Sequence, residues 1–265
     1  MAVASSHWQR RIERAQELSE QHRFAAEILG FYVHVARFQQ DLQQRLATVL
    51  PSTEAAIDRD LAEEELAELT SRFASFLSLA EEYGPEQLTK LSSELQAHRP
   101  DFWADLLNAT WRARGASDVQ GILALIVLQP YAELLRARAA HPNLHISAVC
   151  PFCHRKPCVG VLRPLGEGAA RSLLCSFCLN EWEFRRIVCP GCGEENDKKL
   201  SVYTAGDLEY IRVECCESCR TYLKTVDLTK NGRAEPLVDE LASAPLDLWA
   251  CERGYAKLQT NILGM

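Results

Sequence analysis

Apolar side chains recur every three or four positions through the first half of the chain, which is the period of an amphipathic helix. The pattern predicts an all-helical bundle of five or six helices joined by short connections. These helices cover residues 8–50 with a break near His22, 61–79 after Pro51-Ser52-Thr53, 88–95 after Gly84-Pro85, a segment opened by Pro100-Asp101, and 118–140 behind a Ser117 cap.

Residues 121–128 are apolar on every side, which predicts a helix at the centre of the bundle. This uncharged stretch is shorter than the roughly 18–20 residues needed to span a bilayer. The start of the chain has no apolar segment typical of a secretory signal. The bundle is expected to end at His141-Pro142-Asn143, and the protein is expected to be soluble and cytoplasmic.

The pattern changes after residue 150 to short segments with the composition of β-strands. They lie at 159–162, 181–184, 200–203, 210–213 and 222–226. The cysteine-rich region is therefore predicted to form two ribbons, each with its own small hairpin sheet. A helical tail follows residue 231, is broken at Pro245, continues over 246–258 and is expected to dock back on the protein.

Eight of the eleven cysteines form four Cys-x2-Cys pairs separated by 21, 10 and 23 residues. Such a pair turns the backbone so that both sulfurs face one point, and a second pair after a hairpin completes a tetrahedron. The spacing predicts two tetrathiolate metal sites in tandem. The pairs are Cys150/Cys153, Cys175/Cys178, Cys189/Cys192 and Cys216/Cys219.

The two halves of this region also align with each other. Residues 171–178 match residues 212–219 in register, and this register selects Cys216 rather than Cys215 as a ligand. Each Cys-x2-Cys turn is called a knuckle below. Gly193 directly follows the second cysteine of the Cys-Pro-Gly-Cys knuckle at 189–192, where a glycine permits a positive φ. Disulfides are the weaker alternative, because they persist in oxidising compartments and nothing directs this chain to one.

These observations define an α+β protein with a helical bundle, two rubredoxin-like or zinc-ribbon units and a short helical tail. The bundle is predicted to cover residues 1–145, the first metal-binding unit 146–186, the second 187–232 and the helical tail 233–265. Such small units cannot build a sufficient apolar core, so a metal is expected to supply much of their folding free energy. Sulfur-only tetrahedral sites accept iron or zinc, and the sequence does not choose between these metals.

Charge and motifs exclude several functional classes. The net charge is −7, and acidic residues interleave with the basic pairs of the nearly neutral ribbons, which disfavours nucleic-acid binding. The chain has no P-loop, zinc-protease or nucleophile-elbow motif. Because a closed four-sulfur site has no open coordination position, the protein is not expected to be an enzyme.

Other residues have a structural and a functional interpretation. Cys158 is interpreted as a small buried side chain rather than a ligand, Cys215 as a thiol that fills the hairpin rather than a redox partner, and Cys251 as part of the core. His154 is interpreted as a turn residue. Trp182 and Tyr222 are expected to pack over the metal clusters, with partner recognition as the alternative.

The ordered motifs resemble the formate dehydrogenase accessory protein FdhE family over essentially the whole chain. They are Cys150-Pro-Phe-Cys153, Leu174-Cys-Ser-Phe-Cys-Leu-Asn-Glu-Trp182, Cys189-Pro-Gly-Cys192, Cys216-Glu-Ser-Cys-Arg-Thr-Tyr-Leu-Lys224 and the tail motifs from Asp239 to Tyr255. The resemblance implies one metal site at Cys150, Cys153, Cys175 and Cys178, and a second at Cys189, Cys192, Cys216 and Cys219.

The resemblance further implies a cytoplasmic assembly factor that binds the catalytic subunit of respiratory formate dehydrogenase and is needed for its activity or maturation. Two alternatives stay open. One is an iron-bearing redox protein that acts on the catalytic subunit, which is called the client below. The other, less favoured, is a tandem zinc-ribbon protein that binds nucleic acid. No membrane partner is expected, and the oligomeric state is not predicted.

Overall fold

The computed structural model describes residues 2–49, 56–113, 118–139 and 146–265. Within these ranges, six helices form an N-terminal bundle, seven strands form one sheet, and two short helices follow the sixth strand. The predicted fold class is therefore confirmed. Four predicted signals lie outside the described residues: the Pro51-Ser52-Thr53 interruption, the Ser117 cap, the helix end at residue 140, and the His141-Pro142-Asn143 connection.

The first two helices form an antiparallel hairpin. Helix α1 spans Ala2–Gln21 and α2 spans Ala26–Val49. Between them His22 is extended at φ −122°, and a single 3-10 turn follows. Trp8 Nε1 donates to Gln43 Oε1 at 2.9 Å, which ties the two outer ends of the hairpin together. The predicted break near His22 is thus a full reversal of the chain.

Three further helices complete the outer layer of the bundle, at Glu63–Tyr83 (α3), Glu86–Gln96 (α4) and Pro100–Arg112 (α5). Gly84 and Pro85 separate α3 from α4, as predicted. Pro100 occupies the first turn of α5, where its missing N–H costs no hydrogen bond.

Helix α6, Val119–Arg138, lies at the centre of the bundle. Asp118 caps it by accepting from Gly121 N at 2.7 Å. Among the described residues, α6 is the one helix with the length and apolar composition of a membrane span, and 61% of its most apolar window is buried inside the protein. That burial is expected of a core helix, in agreement with the prediction from residues 121–128.

Pro130 interrupts the hydrogen-bond ladder inside α6, because proline has no N–H to donate. The carbonyl left without its helical partner is that of Ile126, four residues earlier. Gln39 of α2 donates to this oxygen from Nε2 at 2.8 Å. A buried side chain of a neighbouring helix therefore satisfies the backbone group that the proline frees.

The two cysteine-rich units share one sheet, so the prediction of two separate hairpin sheets was wrong. The strands, in the order β1 to β7, are Pro157–Leu165, Gly168–Cys175, Glu181–Glu183, Leu200–Thr204, Ile211–Cys216, Thr221–Asp227 and Ala256–Lys257. Their order is β3-β2-β1-β6-β5-β4, with β7 beside β6. Parallel pairing of β1 with β6 joins the two units. The predicted domain boundaries stay a prediction.

The tail packs back on the protein through α7, Pro236–Ala242, and α8, Ala244–Glu252. Pro245 lies in the first turn of α8, and this helix ends before the predicted limit at residue 258 because the chain continues into β7. Arg14 of α1 donates to Asp239 of α7 at 2.6 Å in a buried ion pair. The tail is thereby fixed to the bundle.

A buried charge network holds the tail against the sheet. Lys224 of β6 is 0% exposed and donates to Asp247 at 2.6 Å and to the Glu240 carbonyl at 2.6 Å. Lys257 of β7 forms ion pairs with the carboxylates of Glu240 and Asp247. Burial opposes ionisation of Glu240, but Lys224 and Lys257 outweigh it and lower the pKa of Glu240 to about 2.

Candidate metal centres

The first site consists of Cys150, Cys153, Cys175 and Cys178, whose sulfur atoms lie within 4.8 Å of one another. The Sγ atoms of Cys150 and Cys178 are 3.6 Å apart, and those of Cys153 and Cys175 are 3.3 Å apart. One pair precedes β1, and the other begins at Cys175, the last residue of β2. The β1–β2 hairpin therefore brings the two knuckles together.

The second site consists of Cys189, Cys192, Cys216 and Cys219, and its sulfurs also lie within 4.8 Å of one another. Two Sγ pairs, Cys189 with Cys219 and Cys192 with Cys216, are each 3.7 Å apart. Cys216 ends β5, and the turn to β6 carries Cys219. Cys215 does not join this set, as the register of the two halves predicted.

Both clusters fit a tetrahedral ion. Metal–sulfur bonds of about 2.3 Å place the sulfurs of a tetrahedron about 3.8 Å apart, close to the separations at both sites. All eleven cysteines are free thiols. Each cluster can therefore bind one metal ion, and a four-sulfur tetrahedron suits iron and zinc alike. Ligation by these eight residues stays a prediction.

The residue after the second cysteine of every knuckle has a left-handed backbone. The φ values are 60° at His154, 54° at Leu179, 80° at Gly193 and 57° at Arg220. The positive φ predicted at Gly193 and the turn role predicted at His154 are confirmed. The other two positions were missed, because a non-glycine residue in this conformation has no sequence signal. The turn directs both sulfurs of a pair to one point.

Backbone amides point at the first sulfur of three knuckles. The donors are Phe152 N to Cys150 Sγ at 3.4 Å, Phe177 N to Cys175 Sγ at 3.4 Å and Gly191 N to Cys189 Sγ at 3.3 Å. An amide hydrogen placed beside sulfur stabilises the negative charge of a thiolate. The turns therefore prepare the sulfurs for a cation before it binds.

The acidity of the thiols shows why a cation is needed. Burial, together with hydrogen bonds from the neighbouring thiols, raises the pKa of Cys175 well above its usual range. Burial likewise raises the pKa of Cys189 to about 12. Four thiolates cannot stay ionised side by side in these positions without a compensating positive charge. Metal binding at either site must therefore release protons.

Cys219 differs from Cys175 and Cys189. Desolvation opposes its ionisation, but hydrogen bonds from the side chain and backbone of Thr221 outweigh burial and lower its pKa to about 7. The Thr221 hydroxyl oxygen lies 3.0 Å from Cys219 Sγ. The second site thus contains one thiol that is readily ionised near neutral pH.

The first site is buried against the helical bundle. Cys150, Cys175 and Cys178 are buried and belong to the same apolar core as the helices. The ring of Phe177, inside the second knuckle, meets Trp111 of α5 edge to face at a centroid distance of 5.5 Å. This site therefore shares its packing with the bundle.

Arg155, two residues after Cys153, anchors this site to α5. Its Nη2 donates to three backbone carbonyls at the end of that helix, those of Thr110 at 2.9 Å, Trp111 at 3.1 Å and Ala113 at 2.6 Å. Its guanidinium lies 3.6 Å from the ring centroid of Phe177. Cations near a helix C-terminus are stabilising, because the last carbonyls have no helical partners. Sequence reasoning missed this residue.

The second site lies at the surface. Cys192 is exposed and Cys219 is partly exposed, whereas Cys189 and Cys216 are buried. Its contacts are with the tail rather than with the bundle: the Arg220 side chain lies over the ring of Tyr255 at 4.0 Å and donates to Arg253 O at 2.6 Å. Solvent therefore has direct access to one edge of this cluster.

Trp182 and Tyr222 have structural roles. Trp182 is 5% exposed and donates to Ser147 O at 2.8 Å, next to the first site. Tyr222 is 2% exposed, and its hydroxyl donates to Asp247 at 2.7 Å within the buried charge network. These contacts favour packing over partner recognition. Tyr203 and Trp249 are less buried aromatic side chains of this region.

The three remaining cysteines lie outside both clusters. Cys158 is buried on β1, with its Sγ 3.7 Å from Leu174 O, and Cys215 is buried on β5. Both agree with their interpretation as small buried side chains. Cys251 is exposed on α8, so its prediction as a core residue was wrong. The short, nearly uniformly apolar α8 gave no indication of which face is solvent-exposed.

The fold and the two clusters define a class: a metal-binding protein in which a helical bundle supports a sheet carrying two four-cysteine centres. Two consecutive family models match this sheet region and the tail. Residues 149–186 match "FdhE, central domain" and residues 187–263 match "FdhE, C-terminal domain". Residues 149–263 of this chain are therefore similar to the central and C-terminal domains of the FdhE family.

Relatives extend the similarity to the N-terminal bundle. A protein of Aquifex aeolicus named "Protein FdhE homolog" is 26% identical, covering 96% of this chain and 94% of the relative. A homologue of the same name in Pseudomonas aeruginosa is 38% identical over 43% of this chain and 39% of its own. A Shewanella homologue is 27% identical over 84% of this chain and 65% of its own.

A solved structure has the same fold. The crystal structure of the FdhE protein from Pseudomonas aeruginosa superposes with a TM-score of 0.66 at 23% sequence identity. The alignment covers 97% of this chain and 95% of that one. The arrangement of bundle, sheet and tail is therefore shared along nearly the entire length of both proteins.

Proposed function

We propose that this protein is a cytoplasmic accessory factor that binds the catalytic subunit of formate dehydrogenase and is needed for its maturation. The observation that carries the proposal is the match to two consecutive FdhE family models over the region that holds both clusters. The motif resemblance described above implies the client. A reducing compartment suits a chain in which none of the eleven cysteines forms a disulfide.

In this proposal Cys150, Cys153, Cys175 and Cys178 hold one metal ion, and Cys189, Cys192, Cys216 and Cys219 hold another. Both ions stabilise the fold and do not act on a substrate. Four sulfurs close each coordination sphere, so neither ion offers a position for a hydrolytic water. The protein therefore acts by binding and performs no reaction of its own.

The exposure of Cys192 supports a second candidate function. An iron ion with one sulfur at the surface exchanges electrons more readily than a buried one, and it would then act on the client as a redox centre. Reductive titration of the iron-loaded protein distinguishes the two functions. A client that matures normally with the zinc-loaded protein excludes the redox function.

Client capture tests the binding function. The tagged full-length protein is purified without oxygen from cells that respire formate, beside a Cys189→Ser/Cys192→Ser variant. The wild type is expected to retain the catalytic subunit, and the variant is expected to lose one metal ion and most of the bound client. A Cys251→Ser variant is the matched control, because Cys251 lies outside both clusters.

Two results would contradict the proposal. The first is absence of the catalytic subunit from the wild-type preparation while the cells are producing it. The second is full formate dehydrogenase activity in cells whose only copy carries the Cys189→Ser/Cys192→Ser pair. The control variant must retain both metal ions for either result to count.

A further inference from the structure

Strand β4 is an open edge of the sheet. It is the last strand in the order, with β5 on one side and no second partner strand in the described part of the chain. Its residues Val202, Tyr203 and Thr204 are exposed. An open edge presents unpaired backbone groups that can accept another strand.

The hydrogen-bond register identifies those unpaired groups. Glu217 N donates to Lys199 O at 2.9 Å, so these residues form a bonded pair just beyond β4. Bonded and non-bonded pairs alternate along antiparallel strands. The N–H and C=O of Val202, which lies opposite Glu214, therefore point away from β5 towards solvent. The same holds for Thr204, whereas only the C=O of Leu200 points outward unpaired, because its N–H donates to Asp197 O in the preceding 3-10 turn.

Apolar surface flanks this edge on both faces of the sheet. On one face lies the edge groove, a cavity of about 430 Å³ whose lining includes Leu200, Val202 and Leu223 on the sheet and Ile187 across from them. Ile187 is 59% exposed and Val202 is 53% exposed. On the other face Tyr203 lies 4.7 Å from Trp249, measured between ring centroids.

The edge groove also carries positive charge. Arg186 is exposed on its rim, with Nη1 3.5 Å from Ala169 O, and forms no ion pair with any carboxylate of the described residues. Arg171 lines the groove and is 3% exposed. Its Nε is buried and has no acceptor within the described ranges. Arg171 already pairs with Glu214, which also lines the groove, so it is Arg186 that favours an anionic group there.

We propose that β4 binds an extended segment of the client protein by strand addition, with an acidic side chain of that segment pairing with Arg186. Main-chain hydrogen bonds to the C=O of Leu200 and to the N–H and C=O of Val202 and Thr204 supply affinity, and alternate side chains enter the edge groove or cover Tyr203 and Trp249. The inference rests on the proposed client-binding function and adds the site at which binding occurs.

A second copy of this chain fits the edge less well. Strand β4 reads Leu-Ser-Val-Tyr-Thr and contains no carboxylate. Pairing two β4 strands would therefore leave Arg186 of each copy without an anionic partner. An apolar segment with an acidic residue satisfies both the exposed backbone and the charge.

Hydrogen exchange and affinity measurements test this site. The probe is the catalytic subunit of formate dehydrogenase, produced without its cofactor and added to the full-length, metal-loaded protein. Exchange at the amides of Val202 and Thr204 is expected to slow on binding. Val202→Pro removes one outward N–H without breaking the β4–β5 ladder and is expected to weaken binding roughly tenfold.

Two further variants separate the proposed contacts from general damage. Val202→Thr keeps the N–H and the side-chain shape, so its affinity is expected to stay within about twofold of the wild type. Arg186→Glu tests the charge independently of the backbone and is expected to weaken binding roughly tenfold. Metal content and thermal unfolding are compared for all three variants.

Three outcomes would overturn the inference. If the complex forms while the β4 amides stay unprotected and Val202→Pro and Arg186→Glu both bind normally, the site is wrong and the client-binding function stands. If the β4 amides become protected with rising protein concentration alone, a second copy occupies the edge. If the wild type does not bind the subunit at all, the proposed function fails with it.

Discussion

The first and second sites have the same four-cysteine arrangement in different surroundings. The first lies in the apolar core that it shares with α5 and α6, and Arg155 ties it to the end of α5. The second exposes Cys192 and packs against the tail, which contributes a separate small apolar cluster and a buried charge network. The same pair of Cys-x2-Cys turns therefore forms a site that packs in the core and a site that faces solvent. The difference comes from the burial of each cluster.

The largest difference is expected when each site loses a pair of ligands. Metal binding contributes roughly 10–16 kcal/mol to the folding of isolated zinc peptides, which is as large as the whole stability of a typical domain. Cys150→Ser/Cys153→Ser is therefore expected to disrupt the sheet and its packing on the bundle. Cys189→Ser/Cys192→Ser is expected to leave the bundle and the first site folded.

Tryptophan fluorescence during urea unfolding measures this difference, because Trp111 and Trp182 lie beside the first site. The first variant should lose the cooperative transition, and the second should retain it at a lower midpoint. Equal losses in both variants would contradict the distinction between the sites.

The buried charge network around Lys224 fixes the second metal-binding unit to the C-terminal tail. Lys224→Met leaves the Glu240 and Asp247 carboxylates with Lys257 as their remaining buried cation. Breaking a buried ion pair in this way costs about 3–5 kcal/mol. Lys230→Met, at an exposed lysine, is the control in urea unfolding and should cost little. A cost below about 1 kcal/mol for Lys224→Met would show that the network is dispensable.

The anchor of the first site has a smaller effect. Arg155→Met removes the guanidinium from over the Phe177 ring and leaves the carbonyls of Thr110, Trp111 and Ala113 without their shared donor. The expected loss is about 2 kcal/mol, by the cost of unsatisfied buried groups. Arg220→Met at the partly exposed second site should cost less than about 1 kcal/mol. Thermal unfolding of both variants compares them, and the reverse order would be evidence against the anchor.

The solvent exposure of the second site also predicts that its metal ion is released before that of the first site. A chromogenic chelator is expected to remove one ion per chain quickly and the other roughly tenfold more slowly, since release from a buried site requires local opening. The fast phase should be missing from Cys189→Ser/Cys192→Ser. A single phase for both ions, or loss of the slow phase in that variant, would contradict the assignment.

The smallest effect concerns the left-handed turn of the second site. Gly193 has φ +80°, and a Cβ added there would meet no atom within 4 Å. Gly193→Ala therefore costs only the backbone strain of a left-handed residue, about 1 kcal/mol. Gly206→Ala also adds a Cβ in open space, without a positive φ, and should be nearly neutral. Thermal unfolding of the two variants makes the comparison, and an equal effect would exclude backbone strain as the cause.

Much of the site was predictable because its ligand candidates lie close together in the sequence. Two cysteines three positions apart determine a knuckle, and aligning residues 171–178 with 212–219 separates Cys216 from Cys215. The helical bundle was predictable for the same reason, since apolar period and proline positions act within a few residues. His22 and Pro100 lie where the structure has a reversal and a helix start.

The contacts that were missed depend on distant residues. Pairing of β1 with β6 aligns Val161 with Val226, and no local pattern specifies that partner. Strand β2 begins with Gly168 and two alanines, which have low strand propensity, and it forms because β1 provides an edge. Arg155 has no signal of its own, because its role depends on the position of α5.

The central claim is that eight cysteines hold two metal ions in separate four-sulfur sites. X-ray absorption at the metal edge, combined with elemental analysis of the purified full-length protein, tests it most directly. The account predicts two ions per chain, each with four sulfur neighbours at about 2.3 Å, and one ion in Cys189→Ser/Cys192→Ser. A nitrogen or oxygen neighbour in the wild-type protein, or two ions retained by that variant, would contradict it.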